Sequence, residues 1–102
     1  MQIKTDFSNK KLTVALSGRL DTITSPQLEE EVNRFSLDEI NEIIIDANEL
    51  EYISSAGLRI VLMLHKKMAE QNGQLRLLNV NEMIKEIFDM TGMSDFLDIE
   101  KA

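Results

Sequence analysis

Three consecutive β-branched residues, Ile43-Ile44-Ile45, constrain this chain more than any other feature. A run without polar alternation, only a few residues long, is the pattern of a central strand covered on both faces or closely flanked by others. The rest of the chain must therefore supply neighbours for that strand. Ile3, Thr5 and Phe7, then Leu12, Val14 and Leu16, alternate with a period of two, and Ser8-Asn9-Lys10 between them supplies turn chemistry. These residues predict an opening β-hairpin whose second strand ends at Gly18.

After Gly18 the period changes. Ser25-Pro26 places an N-cap residue before a proline suited to the first helical position, and Leu28, Val32 and Phe35 follow at helical spacing. Glu29, Glu30 and Glu31 fit a solvated helix start whose charges suit the dipole. Beyond the isoleucines, Asp46 to Ile53 reads as an acidic loop. It leads to a helix on which Leu58, Val61, Leu62, His65 and Met68 share a face, closed by Gly73 with help from Asn72. Leu75, Leu77 and Leu78 make a short strand, and Asn79 or Asn81 caps a helix carrying Ile84, Ile87, Phe88 and Met90 that stops at Gly92. Phe96, Leu97 and Ile99 form a last apolar patch. The order β-β-α-β-α-β-α-(β) predicts an α/β fold, with a small mixed sheet, an antiparallel hairpin followed by right-handed crossovers, and helices packed against the sheet. One domain is expected to span residues 1–102, at a size where roughly two-thirds of the unfolded surface is buried.

Composition narrows the function. The 43% hydrophobic content argues against disorder, and no apolar run approaches the ~20 residues that span a bilayer, so direct membrane insertion is not expected. Met1 to Phe7 lack the basic start and apolar centre of a secretory signal. The absence of cysteine excludes disulfides, thiolate metal sites and cysteine nucleophiles, which suits a reducing compartment and makes the cytoplasm the expected location. A net charge of −7, with no basic cluster to offset it, opposes binding to nucleic acid or anionic membranes and favours a partner with a basic docking surface.

The segment Tyr52-Ile53-Ser54-Ser55-Ala56-Gly57-Leu58-Arg59 carries the most chemistry. A helix opens here on two adjacent serines. Only one is needed as the N-cap, and the other is free for modification. The backbone N–H groups and positive dipole end of a first helical turn stabilise an anion, so a phosphoserine at this junction has a physical rationale. Catalysis finds less support. His65 is the only histidine, Ser54-Ser55-Ala56-Gly57 lacks the glycine spacing of a nucleophile elbow, and no P-loop or dinucleotide fingerprint occurs. Asp46 invites comparison with a receiver-domain phosphoacceptor, but the neighbouring carboxylates and late lysine of such a site are missing. A turn aspartate is the better reading. Gly18, Gly57, Gly73 and Gly92 read as punctuation. No enzyme activity, cofactor or metal is expected.

Gly18-Arg19-Leu20-Asp21, Ser25-Pro26, Ile43-Ile44-Ile45-Asp46 and above all Tyr52-Ile53-Ser54-Ser55-Ala56-Gly57-Leu58 resemble the STAS family, in particular the bacterial anti-sigma factor antagonists. The resemblance covers nearly the whole chain. It implies a switch without catalytic activity, in which the unphosphorylated antagonist binds an anti-sigma factor that is also a serine kinase and frees the sigma factor. Phosphorylation ends that binding, and a serine phosphatase restores it. The family's acceptor lies two residues before the glycine, here Ser55. By position, Asp21, Ser54, Ser55, Leu58 and Arg59 belong to the partner-binding surface, with Arg59 able to pair with a phosphate or a partner carboxylate. Many members carry an acidic residue before the acceptor, where this chain has Ser54. That departure makes Ser54 the alternative acceptor. The competing functional reading is a constitutive STAS scaffold subunit of a transport or signalling complex, and a third is a small hydrolase using Ser55.

Overall fold

The expected hairpin forms strands β1 (Gln2–Ser8) and β2 (Lys11–Leu20), joined through Asn9 and Lys10 at φ 52° and 62°. Two central residues at positive φ make the tight turn whose twist matches antiparallel strands. The computed structural model describes residues 1–102. After the hairpin come α1 (Ser25–Val32), a 3₁₀ turn at Leu37–Glu39, β3 (Glu42–Ile53), α2 (Ser55–Glu70), β4 (Gln74–Val80), α3 (Glu82–Met90), a second 3₁₀ turn at Met93–Asp95, and β5 (Asp98–Lys101). The five strands lie in the order β1-β2-β3-β4-β5, antiparallel at the first pairing and parallel at the other three. This is the mixed α/β sheet expected from the element order. No helix is long and apolar enough to cross a membrane.

The isoleucine run lies on the central strand, but a helix covers only one of its faces. Ile43 and Ile45 join Leu12, Val14, Leu16, Leu75 and Leu77 in the core beneath the helices. Each such side chain, fully buried, contributes about 1.5–3 kcal/mol. Ile44 points the other way and is still only 8% exposed, flanked in register by Thr13 of β2 and Arg76 of β4. Flanking strands, not a second helical layer, account for its burial.

Three sequence expectations are corrected. The second strand does not end at Gly18: a bulge with Gly18 at φ +104° shifts the register, and β2 runs on to Leu20. Asp46 to Ile53 is strand rather than loop, because β3 keeps pairing with the end of β2 (Ser17 with Glu49, Arg19 with Tyr52, Leu20 with Ile53) after its pairing with β4 ends at Asp46. Asp46 is therefore a half-buried mid-strand residue, whose Oδ1 accepts from Asn79 Nδ2 and Asn48 N, both at 3.0 Å. Finally, α1 stops at Val32, short of Phe35, whose ring packs 5.8 Å from that of Phe7.

Helix α2 buries Gly57, Val61, Leu64 and Met68, so Leu64 belongs to the core, while Leu58, Leu62 and His65 are half-buried at its margin. At its C-terminal end the left-handed residue is Asn72 (φ 60°), and the Gly73 N–H bonds Met68 O at 2.7 Å. Gly73 serves a different purpose, since a Cβ there would lie 2.6 Å from Asn41 O at the start of β3.

Candidate functional site

The site sits where β2, β3 and α2 meet. Ser54 is extended at the N-cap of α2, and its Oγ accepts from Gly57 N at 3.4 Å while its carbonyl accepts from Leu58 N at 2.9 Å. Its own N–H donates to Leu20 O at 2.9 Å, which ties the helix start to the end of β2. The capping work thus falls to Ser54. Ser55, the first helical residue, is exposed, and its hydroxyl has no hydrogen-bond partner.

Gly57 is more than punctuation. It is buried, and a Cβ at this position would lie 2.8 Å from Ile53 Cγ1, 2.9 Å from Leu20 Cγ and 2.9 Å from Leu20 O. The first turn of α2 therefore rests directly on the β2 backbone, possible only for a residue without a side chain. This contact holds the serine pair at the rim of the sheet.

Leu20 O also places the next residue, Asp21, beside the serine junction. Asp21 Oδ1 accepts from the N–H groups of Ile23 and Thr24, both at 3.0 Å, and Arg19 Nε lies 3.9 Å from Oδ2. The Thr24 N–H, aided by the Thr24 hydroxyl, the Ile23 N–H and the Arg19 charge, holds the Asp21 carboxyl below its ordinary value against opposing desolvation. Asp21 thus organises its own loop. Arg19 is occupied as well, with its guanidinium 4.3 Å from the centre of the Tyr52 ring.

The N-cap of α1 differs from expectation. Thr24, not Ser25, occupies it, and the Thr24 hydroxyl turns back to donate to Arg19 O at 2.6 Å. Ser25 is the first helical residue, 3% exposed, with an Oγ that has no partner. It lines a cleft of about 340 Å³ between α1 and α2, together with Thr22, Pro26, Ala56, Arg59 and Ile60. Ala56 places this cleft next to Ser55.

Of the other predicted surface residues, Leu58 is half-buried and packs against the core, while Arg59 is exposed one turn beyond Ser55. Asp21, Ser54, Ser55 and Arg59 thus gather around the start of α2, with Leu58 beneath them. His65 does not join them. It lies ten residues from Ser55 along the same helix, about 15 Å of rise, against the ring of Phe96. That separation leaves Ser55 without a histidine base. Sequence reasoning missed the buried Ser25 hydroxyl, the Arg19–Tyr52 stack and the steric role of Gly57, each of which depends on residues distant in the chain.

The STAS domain family model matches residues 2–102, and so takes in this arrangement of a strand running into a serine-capped helix that rests on the end of the preceding strand. The chain belongs to the STAS domain family. The STAS chain is 27% identical over 102 residues to the anti-sigma-B factor antagonist of Staphylococcus aureus, covering all of itself and 94% of that relative. It is 30% identical over 102 residues to BtrV of Bordetella bronchiseptica, covering all of itself and 88% of that protein. Its fold is shared with the anti-sigma factor antagonist SpoIIAA, solved in two forms. The unphosphorylated form matches at TM-score 0.80 and 17% identity, over 99% of this chain and 89% of that one. The phosphorylated form, from Bacillus, matches at TM-score 0.77 and 18% identity, over 96% and 90%.

Proposed function

We propose that this STAS domain is an anti-sigma factor antagonist working by partner switching in the cytoplasm. In its unmodified form it binds an anti-sigma factor that is also a serine kinase, and so releases the sigma factor. Phosphorylation of Ser55 ends that complex, and a serine phosphatase renews it. The protein itself performs no catalysis. One observation carries the reading: Ser54 supplies the cap, leaving Ser55 exposed and unbonded at the adjacent position. The antagonist relatives and the phosphorylated form of SpoIIAA support it. A phosphate there adds about −1.5 to −2 charge at the centre of the partner surface, enough to disrupt a closely fitted complex.

Asp21, Ser54, Ser55, Leu58 and Arg59 make up that surface in this reading. Leu58 gives it an apolar margin and Arg59 a cation, while the overall charge of −7 steers a basic partner toward it. The test is incubation with ATP, Mg²⁺ and candidate anti-sigma kinases from the same source, followed by peptide-level mass spectrometry. A single phosphate on Ser55 is expected, and Ser55→Asp is expected to weaken kinase binding at least about tenfold, or 1.4 kcal/mol. Ser55→Ala should bind normally and resist release. Phosphate on Ser54 alone would move the acceptor. No phosphate, together with unchanged binding by Ser55→Asp, would overturn the switch in favour of a constitutive scaffold.

A further inference from the structure

The chain has four arginines, Arg19, Arg34, Arg59 and Arg76, among 18 acidic residues. Three are engaged: Arg19 with Asp21 and the Tyr52 ring, Arg34 with Glu31 at 2.9 Å, and Arg76 with Glu42, Asp98 and Glu100. Arg59 has no acidic partner, although Glu29 of α1 lines the same cleft. An arginine left unpaired in so acidic a protein marks a place where an anion is still to come. The cleft it walls offers a second sign, the buried Ser25 Oγ with nothing to bond.

Arg59 stands four residues after Ser55 on α2, so the two side chains share a helix face with their Cβ atoms about 5–6 Å apart. Helical side chains lean toward the N-terminus, which carries the Arg59 guanidinium back over the turn that begins with Ser55. An acid N-terminal to a base at this spacing is the more favourable orientation, and a guanidinium can grip two phosphate oxygens at once. Arg19, on the neighbouring strand end, is held by Tyr52 and Asp21.

We propose that Arg59 is the receptor for a phosphate on Ser55, so that modification withdraws its guanidinium from the α1–α2 cleft, where the unmodified protein offers it to the partner. This rests on the phosphorylation reading and names the residue through which the added charge acts. The off state then involves more than repulsion. The phosphate satisfies internally the cation that the partner would otherwise use, and the cleft loses its only basic wall residue.

The experiment needs neither kinase nor partner. Phosphoserine is installed at position 55 during translation, and the phosphate is titrated by ³¹P NMR in the otherwise unaltered chain and in Arg59→Gln and Lys66→Gln variants, with backbone amide spectra confirming the fold. A free phosphoserine has its second ionisation near pH ~6, and a paired cation lowers it. Arg59→Gln is expected to raise the midpoint by about 0.2–0.4 unit, the equivalent of an exposed helical ion pair. Lys66→Gln, almost two turns further on, should leave it where it was. Equal midpoints with and without Arg59 would overturn the proposal while leaving the switch itself standing. Conversely, the expected shift in a protein that no kinase modifies would keep the pairing and remove the switch.

Discussion

Helices α2 and α3 leave the sheet in the same way, each from the end of a strand and each with a side chain at the N-cap bonded to the amide three residues on: Ser54 to Gly57 and Asn81 to Ile84. They differ at every position between. The first residue of α3 is Glu82, an encoded acidic side chain at the positive end of the dipole, whereas the first residue of α2 is the neutral Ser55. Phosphorylation would give α2 the charge that α3 always has. A helix start that accommodates this charge elsewhere in the same fold has no reason to melt when it arrives, so a switch at Ser55 acts on the surface rather than on the fold. The third position differs more sharply, with buried Ile84 in α3 and Gly57 pressed against Leu20 O in α2. One helix fills the space beneath its third position with a side chain, and the other rests there on strand backbone.

Changes at that third position should have the largest effects, one by removing volume and the other by adding it. Ile84→Ala is expected to cost about 2–4 kcal/mol by opening a cavity. Gly57→Ala should cost about 1–2 kcal/mol by crowding, despite alanine's better helix propensity, because the Leu20 carbonyl cannot turn aside. Urea denaturation of both variants measures this, and a stabilised Gly57→Ala would break the contrast. The caps come next. Asn81 bonds Ile84 N at 2.8 Å and also donates to Leu50 O at 3.2 Å, while Ser54 bonds Gly57 N at 3.4 Å. Asn81→Ala should therefore lose about 1–2 kcal/mol and Ser54→Ala no more than about 1 kcal/mol by the same measurement. Smallest are the first-position charges. Ser55→Glu should stabilise and Glu82→Ser destabilise by about 0.3–1 kcal/mol each, and both effects should shrink in 1 M salt, where the screening length is about 3 Å. Thermal melts at low and high salt resolve them.

What the sequence revealed is what local pattern encodes. The alternation around Asn9-Lys10 yielded the hairpin, the isoleucine run the central strand, and the adjacent serines a cap with a free neighbour. Where two residues competed for one task, three-dimensional contacts decided. Asn81 rather than Asn79 caps α3, because Asn79 takes a left-handed turn (φ 61°) and bonds Asp46. Thr24 rather than Ser25 takes the N-cap of α1, with its hydroxyl turned back to the Arg19 carbonyl and not onto the helix. The acidic stretch after Asp46 read as loop because its strand partners, Ser17 to Leu20, lie across two register shifts and some thirty residues away in the chain. The isolation of Arg59 was likewise invisible, since it emerges only once every other arginine has found its partner in space.

The seating of Gly57 on the Leu20 carbonyl has a consequence for timing. A helix end clamped to a strand leaves little room for a slow rearrangement between marking the protein and reading the mark. On the proposed reading, the message is legible as soon as the phosphate is attached and vanishes as soon as it is removed. The tempo of the circuit then belongs to the enzymes that write and erase it and to how many copies of each partner the cell holds.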